Sequence, residues 1–325
     1  MSARSEQGMN PMHAVSRRRF LAISAAATGV AGAGALVGYH ATRTPLYRWE
    51  GVALGASASI TLAHPQAARI VERALSEIAR LEGVFSLYRA DSALSRLNAT
   101  GTLAQPPFEL LECLGLCDRV HAATSGNFDP SVQPLWRLYA DSFANGSAPA
   151  PQALAAARSL IGWGDVRFAP DRVAFARPGM ALTLNGVAQG FIADRVAALL
   201  RAEGLTDVLV DTGEMRALGG HPQGGAWPVA LDVAGTLLPG AVPLRDRALA
   251  SSAPRGTTFD AAGTQGHILN PATGEPSAQP WRLVSVTAPQ AALADALSSA
   301  FCLMGRDEIV AALAAFPTAR LAYLG

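Results

Sequence analysis

The hydrophobic pattern of the chain predicts alternating helices and strands. Apolar side chains recur every three to four positions over residues 65–87, with charged residues opposite them, which predicts an amphipathic helix. The same spacing predicts helices over 92–97 (with Asp91 or Ser92 as N-cap), 108–125, 153–162, 191–200, 289–305 and 310–316. Short apolar or alternating runs predict strands over 51–63, 166–169, 172–176, 180–184, 207–211, 215–218, 227–233, 242–250, 283–288 and 320–324. Residues 127–139, which hold two prolines and a tryptophan, fit neither pattern.

The stretch TLNGVAQGFIADR, residues 183–195, joins an apolar run to a helical pattern through Gly186 and Gly190. A strand, a glycine turn and a helix N-terminus together allow the backbone to approach a phosphate or an ion closely. The alternative is a tight connection between packed elements, because the stretch is not a GxGxxG motif. Asp194 falls in the predicted first helical turn, where a carboxylate interacts favourably with the helix dipole.

The last long helix carries an isolated carboxylate. Residues 291–304 are apolar on all sides except at Asp295, Ser298 and Ser299, and a helix of this kind is buried. A buried carboxylate is costly unless a cation or hydrogen-bond donors accompany it. Asp295 and Ser299 are four residues apart on one face and have no Lys or Arg within a turn, which favours a hard divalent cation such as Mg²⁺. The alternative is an aspartate that caps the amides of a neighbouring element.

Two other polar residues remain open between a functional and a structural role. His267, in a glycine-flanked turn, is either a general base or phosphate contact, or a loop histidine bonded to backbone. Asp129 is either a pocket acid or the cap of the turn that follows it. The three cysteines lack the spacing of a metal site and are expected to be buried thiols.

Composition limits the function classes. The chain has 325 residues, of which 50% are hydrophobic and 16% charged, enough for one large domain or two closely joined ones. Its formal net charge is +1 and no basic face is evident, so a nucleic-acid partner is not expected.

The N-terminus predicts export. The sequence SRRRFL at residues 16–21 precedes a weakly apolar segment rich in Ala and Gly, residues 22–38, as in a twin-arginine signal. The alternatives are a short membrane anchor or a basic start without function. We therefore expect residues 1–45 to be an export signal and linker recognised by the twin-arginine machinery, residues 46–325 to form a single domain, and the protein to be periplasmic.

Seven segments in order, from about residue 49 to the C-terminus, resemble the ApbE family of FAD:protein FMN transferases. They are YRADSALSRLN (88–98), NFDPSVQPLW (127–136), LNGVAQGFIADR (184–195), VDTGEMRALG (210–219), ALASS (248–252), GHILNPATGEP (266–276) and SVTAPQAALADALSSAFCLMG (285–305). The resemblance implies an α+β fold with mixed β-sheets flanked by helices, in two intimately packed lobes of a T-fold-related domain.

The resemblance also implies a reaction. FAD is the donor substrate and Mg²⁺ the metal; the FMN phosphate is transferred to a Thr hydroxyl of an acceptor protein, and AMP is released. The export signal and the altered glycine stretch further suggest the periplasmic NosX-like branch of the family. The acceptor is then expected to be a membrane or periplasmic redox protein, NosR-like, with a flavinylated Thr.

The resemblance assigns roles to individual residues. Asp295 and Ser299 match side-chain metal ligands, and the carbonyl of Gly186 matches a third ligand. His267 matches a histidine near the phosphates, with a basic or orienting role. The positions that match FAD contacts are Leu54, Tyr88, Asn127, Phe128, Asp129, Thr183, Gln189 and Ile268.

Four positions depart from the family pattern. Thr183 stands where Asp is usual, Gln189 where Lys or another charged residue is usual, and Asn270 and Glu214 each stand in place of Asp. The departures in the glycine stretch motivate one alternative to the transferase, a non-enzymatic flavin-binding or carrier protein. A second alternative is an FAD pyrophosphatase on the same scaffold, in which water replaces the Thr acceptor and the products are FMN and AMP.

Overall fold

The computed structural model describes residues 44–53 and 55–325 of the chain. Almost all of the predicted export signal and Leu54 therefore lie outside the described residues. Within the described part of the chain, no helix combines the length and the apolar character that crossing a membrane requires.

A seven-stranded sheet forms the centre of the fold. Its order is β1-β2-β6-β7-β12-β13-β14, and every neighbouring pair is antiparallel. These strands are Tyr47–Ala53, Ala56–Leu62, Val208–Asp211, Met215–Leu218, Ala248–Ser252, Val284–Ala288 and Arg320–Leu324. All five residues of β13 are buried, so both faces of the sheet are covered at that strand.

Three smaller antiparallel sheets extend this framework. The sheet β3-β5-β4 and the pairs β8-β11 and β9-β10 are formed by Thr102–Ala104, Val166–Ala169, Arg172–Phe175, Trp227–Val229, Asp232–Val233, Thr236–Leu237 and Val242–Leu244. Strands β8 and β11 share a hydrophobic cluster with β7 and β12 of the main sheet, which joins this pair to the core.

The described residues form eight α-helices. In chain order, α1 to α8 are Ala67–Phe85, Ala93–Thr100, Phe108–Ala123, Gln133–Ala144, Pro151–Arg158, Ala188–Ala202, Ala291–Phe301 and Arg306–Ala314. Helix α1 buries one stripe that includes Ile70, Ala74, Ile78 and Leu81, as its periodicity predicted. Ser92 is the N-cap of α2, where its side chain accepts a hydrogen bond from the Ser95 amide. The predicted α+β class is confirmed.

Helices α6 and α7 pack closely and determine the geometry of the site. A Cβ on Gly190 would overlap the carbonyl of Ala291, so only glycine permits this approach. Asp194 accepts hydrogen bonds from the amides of Ala291 and Ala292 at 2.9 and 3.0 Å, and from Nε of Arg216 at 3.1 Å. The prediction that Asp194 serves its own helix dipole was therefore wrong: it lies in the middle of α6 and caps α7.

Three local predictions were also wrong. The single strand predicted over residues 51–63 is instead a hairpin, in which β1 pairs antiparallel with β2. Residues 127–139 contain a short 3₁₀ helix, Pro130–Val132, and the start of α4, whose first turn accommodates Pro134 because amides there need no helical acceptor. Residues 180–184 do not form a strand, although all of them except the half-buried Thr183 are buried. The side chain of Asn98 instead bonds both the amide and the carbonyl of Leu182, at 2.7 and 2.8 Å, and so replaces a strand neighbour.

Candidate functional site

The buried carboxylate of Asp295, on helix α7, lies at the N-terminus of helix α6. It lies on α7 with 3% of its surface exposed, and its Oδ2 accepts a hydrogen bond from the amide of Gly190, in the first turn of α6, at 3.3 Å. Burial raises the pKa of Asp295 to about 8, because this one amide compensates little of the lost hydration. Among the described residues, no Arg or His lies within 4.0 Å of the carboxylate.

Gly186 and Ser299 are neighbours beside Asp295. A Cβ built on Gly186 would lie 2.9 Å from Oγ of Ser299, so the glycine backbone passes directly over this hydroxyl. Ser299 is one turn after Asp295 on α7, and its Oγ is 3.3 Å from Oγ of Ser252 on β12. The structure thus brings together the carboxylate, the hydroxyl and the glycine backbone that were assigned to a metal.

Phe128 lies next to Gly186, on the segment before α4. Its ring lies 3.6 Å from the position of a Cβ on Gly186, and the side chain is 8% exposed. The adjacent Asn127 is half-buried and donates from its side-chain amide to the carbonyl of Thr124 at 2.9 Å. The segment that carries Asn127 and Phe128 therefore forms one wall beside the glycine stretch.

Asp129 serves as a cap in this structure. Its Oδ1 accepts hydrogen bonds from the amide of Ser131 at 2.8 Å and from the hydroxyl of Ser131 at 2.6 Å. These contacts start the 3₁₀ helix at Pro130. Of the two readings left open by the sequence, the capping role is the one whose contacts the structure shows.

Thr183 begins the glycine stretch, and Gln189 directly precedes Gly190 within it. The amide of Thr183 donates to the carbonyl of Pro130 at 2.8 Å, which ties this stretch to the Asn127–Phe128 wall. The carbonyl of Gln189 accepts from the hydroxyl of Thr212 at 3.1 Å. The side-chain amide of Gln189 would lie 3.0 Å from a Cβ on Gly213, whose φ of 102° itself requires glycine. Gln189 thus contacts the turn between β6 and β7.

His267 is held by backbone. Its Nδ1 lies 3.0 Å from the carbonyl oxygen of Thr257, and its amide donates to the same oxygen at 3.1 Å. A carbonyl oxygen only accepts, so Nδ1 carries the proton and Nε2 of the neutral ring is a free base. Burial lowers the pKa of His267, which favours this neutral form at pH 7. No hydrogen bond or ion pair between described residues joins His267 to Asp295.

Two further predicted flavin contacts, Tyr88 and Ile268, make local hydrogen bonds through their backbone. Tyr88, in the loop between α1 and α2, has 63% of its surface exposed, and its amide donates to Oγ of Ser86 at 3.1 Å. Ile268 is half-buried, and its carbonyl accepts from the amide of Ser277 at 2.9 Å. Leu54 is outside the described residues.

A groove adjoins the Asn127–Phe128 wall. It has a volume of ≈ 540 Å³ and is lined by residues that include Asn127, Asp129, Arg158 and Asn270. Two of its lining residues are joined, because Nη2 of Arg158 donates to the carbonyl of Ala272 at 2.6 Å. The groove offers amide and guanidinium donors next to the predicted flavin contacts.

Glu214 is a buried acid to which the sequence analysis gave no role. It has 8% of its surface exposed, and its Oε2 has no hydrogen-bond partner among the described residues. Burial, followed by the charges of Asp295 and Asp211, raises the pKa of Glu214 well above its usual range. The sequence signals were an acid in the turn that follows the buried strand β6 and its place where the family pattern has Asp.

Comparison with known proteins identifies relatives of this architecture. Residues 54–323 match the sequence model of the ApbE family. An FAD:protein FMN transferase from Treponema pallidum is 32% identical over 277 residues, which cover 76% of this chain and 75% of that protein. Other curated relatives, at 26–27% identity, carry the same functional name.

Solved structures agree in fold. The ApbE protein of Thermotoga maritima superposes with a TM-score of 0.77 at 25% identity, covering 85% of this chain and 93% of that one. The apo flavinyl transferase ApbE of Pseudomonas stutzeri superposes with a TM-score of 0.74 at 24% identity, covering 85% and 89% of the two chains. The predicted resemblance, and the transferase class at the family level, are confirmed.

Proposed function

Because the chain belongs to the ApbE family, we propose that it is an FAD:protein FMN transferase. The observation that carries the proposal is the meeting of Asp295, Ser299 and Gly186 at one point between α6 and α7. Asp295 is buried without a cation within 4.0 Å among the described residues, a costly arrangement for a merely structural carboxylate.

The donor set fits a hard divalent cation. A carboxylate, a hydroxyl and a backbone carbonyl are oxygen ligands of the kind that Mg²⁺ prefers. We propose that Asp295, Ser299 and the carbonyl of Gly186 hold Mg²⁺ here. When bound, the ion would neutralise charge on the phosphate oxygens of FAD.

His267 supplies the base in this proposal. The Thr hydroxyl of the acceptor attacks the FMN phosphorus, the bond to the AMP phosphate breaks, and AMP leaves. The free Nε2 of His267 takes the hydroxyl proton, a role that its bond to the Thr257 carbonyl permits. The wall of Asn127 and Phe128, with Asp129, Thr183, Gln189, Ile268, Tyr88 and Leu54, is proposed to contact FAD.

Location and acceptor rest on the sequence. The SRRRFL segment and the weakly apolar stretch after it support export by the twin-arginine pathway to the periplasm. The acceptor is then a membrane or periplasmic redox protein with a Thr for flavinylation, of the NosR-like kind suggested by the sequence resemblance.

The direct test is product analysis with FAD, Mg²⁺ and an acceptor protein. Covalent FMN on the acceptor together with AMP release supports the transferase. AMP release without any acceptor at a comparable rate favours the pyrophosphatase, and FAD binding without AMP release favours the carrier. Asp307→Asn, at an exposed acid in the first turn of α8, is the control for the Asp295 variants.

A further inference from the structure

We infer that Glu214 is an additional carboxylate of the divalent-cation site that Asp295 and Ser299 form. This inference rests on the proposed function, since it concerns the same cation. It assigns a role to a residue at which the sequence departs from the family pattern.

The turn that carries Glu214 is fastened to the glycine stretch. Thr212 donates from its hydroxyl to the carbonyl of Gln189 at 3.1 Å, and Gly213 packs on the side-chain amide of Gln189. Gln189 immediately precedes Gly190, whose amide binds Asp295. These contacts anchor the turn at the N-terminus of α6, and Glu214 is the last residue of this turn before β7.

A second connection runs through strand β12. The backbone of Ser251, on this strand, interacts with the Glu214 carboxylate and favours its charged form. The next residue, Ser252, lies with its Oγ 2.8 Å from Oγ of Ser298 and 3.3 Å from Oγ of Ser299. Glu214 therefore reaches the cluster from the strand side, while Asp295 and Ser299 reach it from α7.

The side chain of Glu214 is incompletely satisfied. More than nine-tenths of the residue is buried, and Oε2 has no hydrogen-bond partner among the described residues. No Arg or His lies within 4.0 Å of the carboxylate in the described part of the chain, and the sequence contains no lysine. An unpaired buried carboxylate beside a second one is costly without a positive charge between or near them.

Two structural explanations fit less well. A shared proton between Glu214 and Asp295 requires a hydrogen bond between their carboxyls, and the structure shows none. An ion pair of the kind that Asp194 makes with Arg216 has no counterpart at Glu214. A cation with oxygen ligands satisfies both carboxylates and uses the free Oε2.

The test is binding of Mn²⁺, as a spectroscopic substitute for Mg²⁺, to the full chain in the absence of FAD. Calorimetry gives the affinity, and the electron paramagnetic resonance signal of free Mn²⁺ gives the bound fraction. We expect Glu214→Gln to weaken Mn²⁺ binding by about 10- to 100-fold. Asp295→Asn is expected to weaken it at least as much, whereas Asp307→Asn leaves it unchanged.

Folding of the variants is checked by thermal unfolding in EDTA. Glu214→Gln keeps the shape of the side chain and removes its charge, so its metal-free Tm is expected to equal or exceed that of the wild type. Glu214→Asp retains a carboxylate and is expected to bind Mn²⁺ more tightly than Glu214→Gln, a recovery that a purely structural role would not produce.

The outcomes separate the inference from the proposed function. Mn²⁺ affinity unchanged in Glu214→Gln but reduced in Asp295→Asn overturns the inference and leaves the transferase proposal standing. Absence of Mn²⁺ binding to the wild type overturns the inference and the proposed metal site together. Absence of AMP release and covalent FMN from a wild type that binds Mn²⁺ counts against the transferase alone.

Discussion

At the scale of single residues, the carboxylate of Asp295 is buried and has a raised pKa. Among the described residues it accepts one long hydrogen bond, from the Gly190 amide. A carboxylate in this setting interacts strongly with any cation that reaches it. Its sequence context already showed the anomaly, because an acid in an all-round apolar helix needs a partner. The contacts with α6 and the proximity of Glu214 did not follow from that context.

Replacement of Asp295 by Asn is expected to abolish most of the transfer. The variant keeps the volume and the hydrogen bond to Gly190 but lacks the charge that holds a cation, so AMP release should fall by at least about 100-fold. The rate of AMP release with FAD, Mg²⁺ and acceptor measures the effect, with Asp307→Asn as control. Near-wild-type activity of Asp295→Asn would contradict the assignment.

Replacement of His267 by Gln tests the base. Gln can retain a hydrogen bond to the Thr257 carbonyl but has no group that takes a proton, so transfer should slow by about 10²- to 10⁴-fold. FAD binding, followed by the flavin fluorescence, should change little. A large loss of FAD affinity with an unchanged turnover rate would instead indicate a phosphate-orienting role.

At the scale of elements, helices α6 and α7 stabilise each other's N-termini. Asp194 of α6 caps the first two amides of α7, and Asp295 of α7 accepts from an amide in the first turn of α6. Gly190 permits the close approach that both contacts need. The arrangement explains why the site depends on a helix pair rather than on a loop alone.

Gly190→Ala is expected to force α6 and α7 apart. The added methyl group would overlap the Ala291 carbonyl, so the variant should lose about 1–3 kcal/mol of unfolding free energy. Gly83→Ala, near the end of α1 with no atom within 4 Å of the new Cβ, is the matched control and should be neutral or stabilising. Urea denaturation of both variants measures the difference; equal stabilities would show that the helix pair tolerates the methyl group.

At the scale of the whole molecule, a seven-stranded antiparallel sheet brings distant segments to one place. Strand β7 follows the turn that holds Glu214, and strand β12 carries Ser252 towards α7. Burial of several carboxylates at this place, without cations among their described neighbours, makes the stability of the metal-free protein depend on pH.

The sign follows from the raised pKa of Asp295. Folding moves this pKa from 3.8 to about 8, so between these values the folded protein binds more protons than the unfolded chain. The metal-free wild type should therefore lose stability relative to Asp295→Asn as the pH rises from 4 to 8. Added Mg²⁺ should restore stability most at the upper end, where fewer protons compete with the ion for the carboxylate. Thermal unfolding from pH 5 to 8, with and without Mg²⁺, checks both statements; a pH-independent difference between the two proteins would contradict them.

Local patterns determined the elements and the family. Residues 65–87 and 289–305 were predictable as helices because periodic apolar spacing is encoded within a few turns of sequence. The ordered segments, HILNPATG and ADALSS above all, were enough to indicate the ApbE family. The error at residues 127–139 arose because α4 tolerates a proline in its first turn. The error at residues 180–184 arose because the side chain of Asn98 takes the place of a strand neighbour.

The sequence alone thus determined the α+β class, the resemblance and the anomalous acid on α7. Only the tertiary structure decided that Asp194 caps a helix 97 residues away, that Gly190 binds Asp295 across 105 residues, and that the charge of Asp295 acts on Glu214. Such contacts depend on how strands pair and helices pack, and spacing along the chain carries no record of them.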